Sequence, residues 1–372
     1  MALVYAMGMN KSIAIDATHF GVAEPTGVEN YVQQLLPELS NALMAKGVAV
    51  SWIGHSPLPP ANTPKNVQWV HSPHIPLWSQ RELPKILKKL APTLFFTPSG
   101  VPPLLYGGPS VATIHDMAAY LDPGAFSFTK RFRLTALSKQ AARKAIHLFT
   151  VSEFSKAQVQ RIWKLPAERI TVTPLGFTPI QTTSKAVEGV GSEPFFLFLG
   201  RIERKKNLSV VIKAFARLCA ESPCQLVLAG KDGFHANRIK KEVAQLPDHI
   251  QKRVIFTGYV DEAEKHWLYE HAAAVLVPCM IEGFGLPVLE AWAEDKLVIC
   301  ANSGSLPEVG RDAVVYAEGD IATDWYLKMQ SVLRGEIPVN LQSRGNTILK
   351  EYTWKRTVDL TGEALLPLLS LE

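Results

Sequence analysis

The stretch Glu282-Gly-Phe-Gly-Leu-Pro-Val-Leu-Glu290 says most about how this chain folds. It places two carboxylates eight residues apart, one on each side of a Gly-Phe-Gly-Leu-Pro turn. The apolar run 273–278 before it predicts a buried strand. The pattern 287–294 after it predicts a helix, because Pro287 suits a first helical turn, where its missing N–H has no intrahelical partner. Strands that alternate with helices in this way predict a parallel α/β sheet.

The same stretch has the composition of a ligand site. Glycines let the backbone approach a ligand closely, and the free N–H groups of a new helix favour an anion. One carboxylate in the loop and one in the first helical turn can then face a polyhydroxyl ligand whose phosphates rest on the helix N-terminus. That arrangement predicts a nucleotide-sugar site. The alternative is an ordinary strand-loop-helix corner with two solvated glutamates.

Length and composition indicate a globular protein of more than one domain. The chain has 372 residues, 47% hydrophobic and 20% charged, which suits two to three domains. No apolar run reaches the roughly 18 residues that span a bilayer, and residues 1–9 lack the basic region of a signal peptide. The cysteines, Cys219, Cys224, Cys279 and Cys300, have no metal-ligand spacing and indicate reduced, buried thiols of a cytoplasmic protein.

The positive charge is concentrated in the first half of the chain. Residues 1–180 carry 17 Lys+Arg against 9 Asp+Glu, a balance of +8, whereas residues 181–372 carry 22 against 25, a balance of −3. Two segments, 81–89 and 130–144, predict helices with basic and apolar faces. Such helices can lie on an anionic membrane surface, although most are only solvated. No nucleic-acid recognition motif is present, which argues against that partner.

Both halves alternate short apolar, β-branched runs with helical patterns, which predicts parallel sheets. The predicted strands are Ser12–Asp16, Val48–Gly54, Val67–His71, Leu94–Thr97, Ser110–His115, Leu148–Ser152, Phe195–Gly200, Gln225–Ala229, Val254–Thr257, Ala274–Pro278 and Val298–Ala301. The polar, aperiodic stretch 178–193 predicts a linker. We therefore expect an α/β protein with a first domain over 1–177, a second over 194–350 and a final helical segment over 351–372.

The loop Gly200-Arg-Ile-Glu-Arg-Lys-Lys-Asn207 follows the first predicted strand of the second half. Arg201 can bind a pyrophosphate with two hydrogen bonds, and Lys206 adds a compact point charge. Both would stabilise a diphosphate leaving group as negative charge develops on it. We expect Arg204 and Lys205 to face solvent. A solvated basic loop is the alternative for the whole run.

Two features of the first half can also bind a ligand. His115 lies at the carboxyl end of a predicted strand, where ligands bind in open α/β sheets, although a lone histidine is more commonly a hydrogen-bonded structural residue. Gly27 precedes an apolar helix that ends near Met44, and N–H groups at a helix start favour a phosphate. A plain capped turn is the alternative for Gly27.

These motifs resemble those of the family-4 retaining glycosyltransferases, which have the GT-B architecture of two Rossmann-like domains facing across a cleft. The matching elements are E-x7-E at 282–290, G-R-x-x-x-x-K-N at 200–207, H-D at 115–116 and T-G-V-E-N-Y-V at 26–32. The last form is typical of the subset that transfers mannose or similar sugars. The resemblance extends over most of the chain, and it implies that the final helix crosses back onto the first domain.

The resemblance also implies a role for each site residue toward a nucleoside-diphosphate sugar donor. Arg201 and Lys206 bind the diphosphate, Glu282 binds near the hexose 3-hydroxyl, and Glu290 holds the ribose hydroxyls. His115 lies near the transferred sugar and the departing oxygen. The remaining assignments are Gly27 closing the diphosphate from the other domain, Asp116 orienting His115 or facing the acceptor, Val260 near the nucleobase, and backbone N–H groups of Phe284, Gly285 and Leu286 toward sugar or phosphate.

The reaction implied is retaining transfer of a mannose- or glucose-like hexose without metal or other cofactor, since the diphosphate is neutralised by Arg and Lys and no Asp-x-Asp motif is present. The donor implied is GDP-mannose or a UDP-hexose. The acceptor is a glycan or lipid-linked molecule of cell-surface polysaccharide or O-antigen assembly, at the cytoplasmic side of the membrane. The alternatives are a GT-B-fold sugar-nucleotide epimerase or phosphorylase, and a non-catalytic nucleotide-sugar-binding subunit.

Overall fold

A computed structural model describes residues 11–125 and 131–370, which form two compact units. Unit 1 consists of residues 11–117, 131–176 and 353–370 of the described chain, and unit 2 of residues 118–125 and 177–352. The segment 118–125 lies within the range that we predicted for the first domain, yet it packs on unit 2. In that segment Asp122 Oδ2 lies 3.6 Å from Arg204 Nε.

Unit 1 is built on a seven-stranded parallel sheet in the order β3-β2-β1-β4-β5-β6-β7. Its strands are β1 (Lys11–Asp16), β2 (Val48–Gly54), β3 (Gln68–His71), β4 (Leu94–Thr97), β5 (Ser110–Ile114), β6 (His147–Thr150) and β7 (Ile170–Val172). Residues of β4 and β5 are all buried. Burial on both faces explains why these strands are continuous apolar runs and do not alternate with polar residues.

Unit 2 is built on a six-stranded parallel sheet in the order β10-β9-β8-β11-β12-β13. Its strands are β8 (Phe195–Leu199), β9 (Gln225–Ala229), β10 (Val254–Gly258), β11 (Ala274–Val277), β12 (Val298–Ala301) and β13 (Val315–Ala317). The eleven strands predicted from sequence are confirmed within one or two residues at their ends. The two further strands, β7 and β13, have three residues each and were not predicted.

The helices cover the faces of the two sheets. In unit 1 they are α1 (Gly27–Ala45), α2 (Trp78–Arg81), α3 (Leu83–Leu90), α5 (Ser138–Lys144), α6 (Glu153–Trp163) and α15 (Trp354–Leu368). In unit 2 they are α4 (Ala118–Leu121), α7 (Leu208–Leu218), α8 (Ala236–Ala244), α9 (Asp248–Gln251), α10 (Glu262–His271), α11 (Leu286–Ala293), α12 (Leu306–Gly310), α13 (Ala322–Leu333) and α14 (Leu341–Leu349). Short 3-10 turns occur at Pro123–Ala125, Ala167–Arg169 and Arg204–Lys206, and a π-helical turn at Arg133–Leu137.

The C-terminal helix α15 packs against α1 within unit 1. The chain re-enters unit 1 at a close approach, because a Cβ on Gly176 would overlap the backbone of Trp354. The buried hydroxyl of Thr357 then donates to the carbonyl oxygen of Pro174 at 2.6 Å. None of the helices that the structure describes is long and apolar enough to cross a bilayer.

Candidate functional site

In unit 2, two loops meet at the point where the strand order reverses. β8 and β11 are neighbours in the sheet, and their connections leave toward opposite sides. In open parallel sheets a ligand binds in the crevice at the carboxyl ends of two such strands. The loop 200–207 follows β8 and the loop 278–285 follows β11. The two motifs that the sequence analysis singled out therefore lie side by side at this edge.

Lys206 and Glu282 form an ion pair at this edge. Lys206 Nζ donates to Glu282 Oε2 at 2.6 Å, and the side chains are 17% and 19% exposed. Burial by itself would raise the pKa of the Glu282 carboxyl, but the ammonium groups of Lys206 and Lys205 outweigh it and hold that pKa below its usual value. Burial likewise opposes the charged form of Lys206, yet Glu282 raises the pKa of Lys206 above its ordinary value. Both groups are therefore charged at neutral pH.

The loop that carries Glu282 is held in place by side chains that donate hydrogen bonds to its backbone carbonyl oxygens. The Ser305 hydroxyl makes two contacts, 2.9 Å to the carbonyl oxygen of Glu282 and 2.8 Å to that of Phe284. Ser305 precedes α12, but its side chain makes no capping bond to that helix. The Cys279 thiol links both loops, since Sγ lies 3.1 Å from the Ile281 carbonyl and 3.3 Å from that of Lys205. These contacts fix the backbone of the loop, and the ion pair with Lys206 then orients the Glu282 carboxylate.

Glu290 lies in the second turn of α11, and both of its carboxylate oxygens accept hydrogen bonds from α10. Lys265 Nζ donates to Oε1 and the Tyr269 hydroxyl donates to Oε2, each at 2.7 Å. Glu290 is 13% exposed, and Tyr269 is fully buried. The sequence analysis did not find Lys265 or Tyr269. Their spacing of four residues, which places them on one face of a helix, is the only signal, and it does not point to Glu290.

The other basic residues of the loop 200–207 differ in how far their side chains are exposed to solvent. Arg201 follows Gly200 and is exposed, in agreement with a side chain that is open to a ligand. The prediction that Lys205 faces solvent is wrong, because it is 22% exposed and its Nζ lies 3.6 Å from Glu203 Oε1. Arg204 is 45% exposed, as predicted, and its Nε lies 3.6 Å from Asp122 Oδ2 of the segment 118–125. Local sequence does not encode that additional contact.

The predicted backbone donors lie where α11 begins. Gly285 has φ +114°, a conformation that glycine adopts readily, and Leu286 is the first helical residue. The first N–H groups of a helix have no intrahelical acceptor. The Phe284 side chain is buried with its ring edge against Tyr352, centroids 5.5 Å apart. Val260, half-buried, follows β10 at the same edge of the sheet.

In unit 1, His115 directly follows β5 and is packed against α1. Its Nε2 lies 2.8 Å from the carbonyl oxygen of Pro98, so Nε2 carries the proton and donates. The Tyr31 ring lies edge-on at 4.8 Å, with its hydroxyl 3.1 Å from the Thr113 hydroxyl. Burial lowers the pKa of His115 despite the opposing effects of the Pro98 hydrogen bond and the half-buried Asp116. The ring is therefore neutral at pH 7, and Nδ1 keeps its lone pair.

Gly27 is the first residue of α1, and a Cβ there would meet no atom within 4 Å. The same turn already holds a carboxylate. Glu29 accepts from the Thr26 backbone N–H at 3.1 Å and from the Thr26 hydroxyl, and its Oε1 lies 3.3 Å from His19 Nδ1. Burial alone would raise the pKa of Glu29, but these partners lower it. The capped turn that we left as an alternative is thus present, and phosphate binding by Gly27 stays a prediction.

No cluster of three or more His, Cys, Asp or Glu side chains in residues 11–125 and 131–370 is arranged to hold a metal ion. His71 and His74 each lie at the end of unit 1 where β3 ends, and both are exposed. His71 Nδ1 lies 3.1 Å from the carbonyl oxygen of Ser56, and the His74 ring packs edge-on against His55. These contacts are structural.

Two family models match almost the whole chain. The one described as Glycosyltransferase Family 4 matches residues 25–179, and the one described as Glycosyl transferases group 1 matches residues 180–345. The chain belongs to the family-4 glycosyltransferases. The boundary between the two matches falls within the predicted linker, and apart from residues 118–125 and the last helix the two matches divide the chain much as the two compact units do.

Known glycosyltransferases agree with this assignment. The O-antigen chain mannosyltransferase B of Escherichia coli is 26% identical over 68% of this chain and 68% of its own length. The O-antigen chain mannosyltransferase RfbU of Salmonella typhimurium is 24% identical, also over 68% of each chain. The sucrose-phosphate synthase structure from Thermosynechococcus elongatus superposes with a TM-score of 0.75 at 19% identity, covering 97% of this chain and 100% of that one. Both parallel-sheet units are thus those of the GT-B fold.

Proposed function

We propose that this glycosyltransferase moves a mannose-type hexose from a nucleoside-diphosphate sugar to a glycan or lipid-linked acceptor of O-antigen or related cell-surface polysaccharide assembly. The observation that carries the proposal is the Lys206–Glu282 pair at the reversal of strand order in unit 2. The two relatives compared above, both mannosyltransferases by name, support the sugar and the setting. GDP-mannose is the donor that this points to, with a UDP-hexose as the alternative.

The charges of the site suit a diphosphate and a sugar at once. Arg201 is exposed, whereas the Lys206 side chain is 17% exposed and paired with Glu282, so Arg201 can close on the diphosphate as it binds while Lys206 is already fixed. Glu282 accepts a hydrogen bond from Lys206, and the remaining lone pairs of its carboxylate can accept from hexose hydroxyls. Backbone N–H groups at Gly285 and Leu286 add donors at a helix N-terminus, which favours negative charge.

We propose retention through attack from the leaving-group side. The acceptor hydroxyl oxygen bonds to the anomeric carbon, the bond from that carbon to the phosphate oxygen breaks, and the acceptor proton passes to the departing phosphate oxygen. Glu282 is a poor nucleophile for a covalent alternative, because its carboxylate is engaged by Lys206 and its pKa is lowered. The protein then acts by orienting the partners and stabilising the diphosphate. In unit 1, the lone pair on His115 Nδ1 suits a sugar hydroxyl.

The first test is binding of GDP, UDP and ADP, with their common sugars, to the purified protein by thermal shift and calorimetry in excess EDTA. A nucleotide at 100 times its dissociation constant adds about 2.7 kcal/mol of stability. We expect GDP and GDP-mannose to give the largest shift, with transfer from the matching sugar nucleotide undiminished by EDTA. A UDP preference would move the donor to a UDP-hexose. A metal-reversible loss of transfer would contradict metal independence.

The absence of a shift with every nucleotide, in a folded sample, would overturn the proposal, whereas donor binding without any transfer would indicate the non-catalytic nucleotide-sugar-binding subunit. Release of an isomerised sugar with no acceptor present would instead indicate an epimerase. Phosphorolysis of a glycan would indicate a phosphorylase. The Glu290→Gln variant provides a control for specific binding, because it keeps the shape of the side chain and removes its charge.

We further propose that unit 1 contacts an anionic membrane surface at the inner face. Phe132, Leu134 and Leu137 are exposed along the π-helical turn, and the basic helix α5 follows directly. Apolar side chains beside basic ones favour anionic lipid. We expect sedimentation with phosphatidylcholine vesicles only when they contain an anionic lipid, and Phe132→Ser to weaken it. Leu327→Ser, at an exposed leucine of unit 2, is the control; equal binding by wild type and Phe132→Ser would exclude this surface.

A further inference from the structure

We propose that Tyr269 and Lys265 are positioning residues, which fix the carboxylate of Glu290 so that it binds the vicinal hydroxyls of the donor's ribose. This inference rests on the proposed function and extends it to two residues that the family motif does not contain. Glu290 alone has two free side-chain torsions beyond Cβ and could turn away from a ligand. The two contacts from α10 remove that freedom.

The two contacts leave acceptor positions on both carboxylate oxygens of Glu290 for a ligand. Tyr269 approaches Oε2 from the buried interior of unit 2, and Lys265 approaches Oε1 from a position that is 17% exposed. Each contact is 2.7 Å long and uses one acceptor position on its oxygen. A carboxylate offers about four acceptor positions, so each oxygen retains one for an incoming hydroxyl. Two neighbouring hydroxyls on a ring match two such positions on one carboxylate.

The Tyr269 hydroxyl and the Lys265 ammonium keep their protons over the working pH range. Burial, and then the charge of Glu290, hold the pKa of Tyr269 well above its ordinary value. Burial opposes the charge on Lys265, but Glu290 and Glu262 outweigh it and raise the pKa of Lys265. Both partners are therefore permanent donors, and neither can accept a proton from a ligand. The Lys265 ammonium cannot accept a hydrogen bond and the Tyr269 hydroxyl is buried, so of these three groups the Glu290 carboxylate is the acceptor that a ligand hydroxyl can reach.

A phosphate is a poor occupant of the same position. The charge of Lys265 is already shared between Glu290 at 2.7 Å and Glu262 at 3.7 Å. A phosphate beside Glu290 would face an uncompensated negative charge, whereas a neutral diol would not. The chemistry favours a sugar diol, and Lys206 with Arg201 lies in the adjoining loop for the phosphates.

The test is Tyr269→Phe, titrated with GDP and UDP and with their 2′,3′-dideoxy forms, which lack both ribose hydroxyls. We expect roughly a tenfold loss of affinity for the ribonucleotide that wild type prefers, the size of one hydrogen bond to a charged group. We expect no change for its dideoxy form. In the transfer assay KM for the donor rises by the same factor, and kcat stays within about twofold because the ribose contact is equally strong in the ground state and the transition state.

Tyr326→Phe is the matched control, since the Tyr326 hydroxyl also donates to a carboxylate, Glu221 at 2.7 Å, elsewhere in unit 2. It should leave both affinities unchanged. Lys265→Met, which empties no core volume, keeps the test available if Tyr269→Phe folds poorly, and should weaken ribonucleotide binding in the same selective way.

Three outcomes would overturn the inference. Equal losses for ribo- and dideoxynucleotides would make Tyr269 a packing residue only. Unchanged affinity in both Tyr269→Phe and Lys265→Met, while Glu290→Gln loses ribonucleotide binding, would leave the proposed function standing and remove the positioning role. No nucleotide binding by wild type would remove the proposed function and this inference together.

Discussion

Lys206→Met and Glu282→Gln should each lower sugar transfer by roughly 100-fold or more, the size of a lost preorganised contact to a charged transition state. In the proposed reaction Lys206 stabilises the charge that develops on the departing diphosphate, and Glu282 Oε2 lies 2.6 Å from Lys206 Nζ. Because the contact matters most when charge develops, kcat should fall along with kcat/KM. The measurement is steady-state transfer with donor at saturation and below it.

Measurements of unfolding free energy show whether these variants lose transfer through a catalytic defect or through poor folding. Removing one partner of a buried ion pair costs about 3–5 kcal/mol, and side-chain exposures of 17% and 19% put this pair near the lower end of that range. The double variant Lys206→Met/Glu282→Gln leaves no lone charge, so it should recover most of the stability while transfer stays low. Urea unfolding of the four proteins gives the coupling energy.

The stabilising interaction between Lys206 and Glu282 should weaken at low pH and at high pH. The pKa of Glu282 is lowered in the folded protein, so its contribution is present above the ordinary carboxyl pKa of about 4.3 and is lost as pH falls through the lowered value. The raised pKa of Lys206 places the loss of its contribution above the ordinary lysine pKa of about 10.4. The stability difference between wild type and double variant should therefore shrink as pH falls below about 4, and it should be gone only once the pH is below the lowered pKa of Glu282. Recovery of transfer in the double variant would show that the pair serves folding alone.

The sheets were predictable because their strands are strongly apolar and separated by helical patterns. A run such as Phe195–Leu199, five apolar residues followed by a glycine, is typical of a buried strand. The strands β7 and β13 were missed because three residues carry no periodicity, and their pairing with β6 and β12 comes from the finished sheet. The segment 118–125 could not be assigned to unit 2 from sequence, because its contact with Arg204 joins residues 82 positions apart.

The site was predictable as far as local motifs reach. The motifs containing Glu282 and Lys206 predicted a common ligand, and the strand order brings them into contact. The supporting residues were not predictable. Tyr269 lies on the preceding helix, and Cys279 reads in sequence as an ordinary buried thiol. Their importance depends on which atoms they meet, and only the fold decides that. Lys205 was assigned to solvent because a run of basic residues gives no indication of which one turns inward.

Of the glycine-to-alanine substitutions in unit 2, Gly230→Ala should lower the stability of the protein most. Gly230 follows β9 with φ +139°, a conformation that side-chain-bearing residues rarely adopt, and its added Cβ would overlap the carbonyl oxygen of Gly200. The neighbour is backbone that cannot rotate away, since the Gly200 N–H donates to the Ala229 carbonyl at 2.9 Å. Backbone strain of about 1–3 kcal/mol and overpacking of about 1–3 kcal/mol then add to about 2–6 kcal/mol. That is a large share of a typical domain's stability.

Two further glycine-to-alanine substitutions distinguish backbone strain from overpacking as the cause of the lost stability. Gly258→Ala also has positive φ, at +73°, but open space around the added Cβ, so it should cost only about 1–2 kcal/mol. Gly27→Ala has neither problem and should unfold like wild type while it weakens donor binding, if the α1 N-terminus contacts the diphosphate. Urea unfolding ranks the three, and nucleotide titration follows on whichever variants fold. Because Gly200 precedes Arg201, a folded Gly230→Ala should also bind the diphosphate weakly. A Gly230→Ala variant as stable as Gly258→Ala would mean that the loop after β8 can move aside, and that the two loops at this edge are less rigid than their contacts indicate.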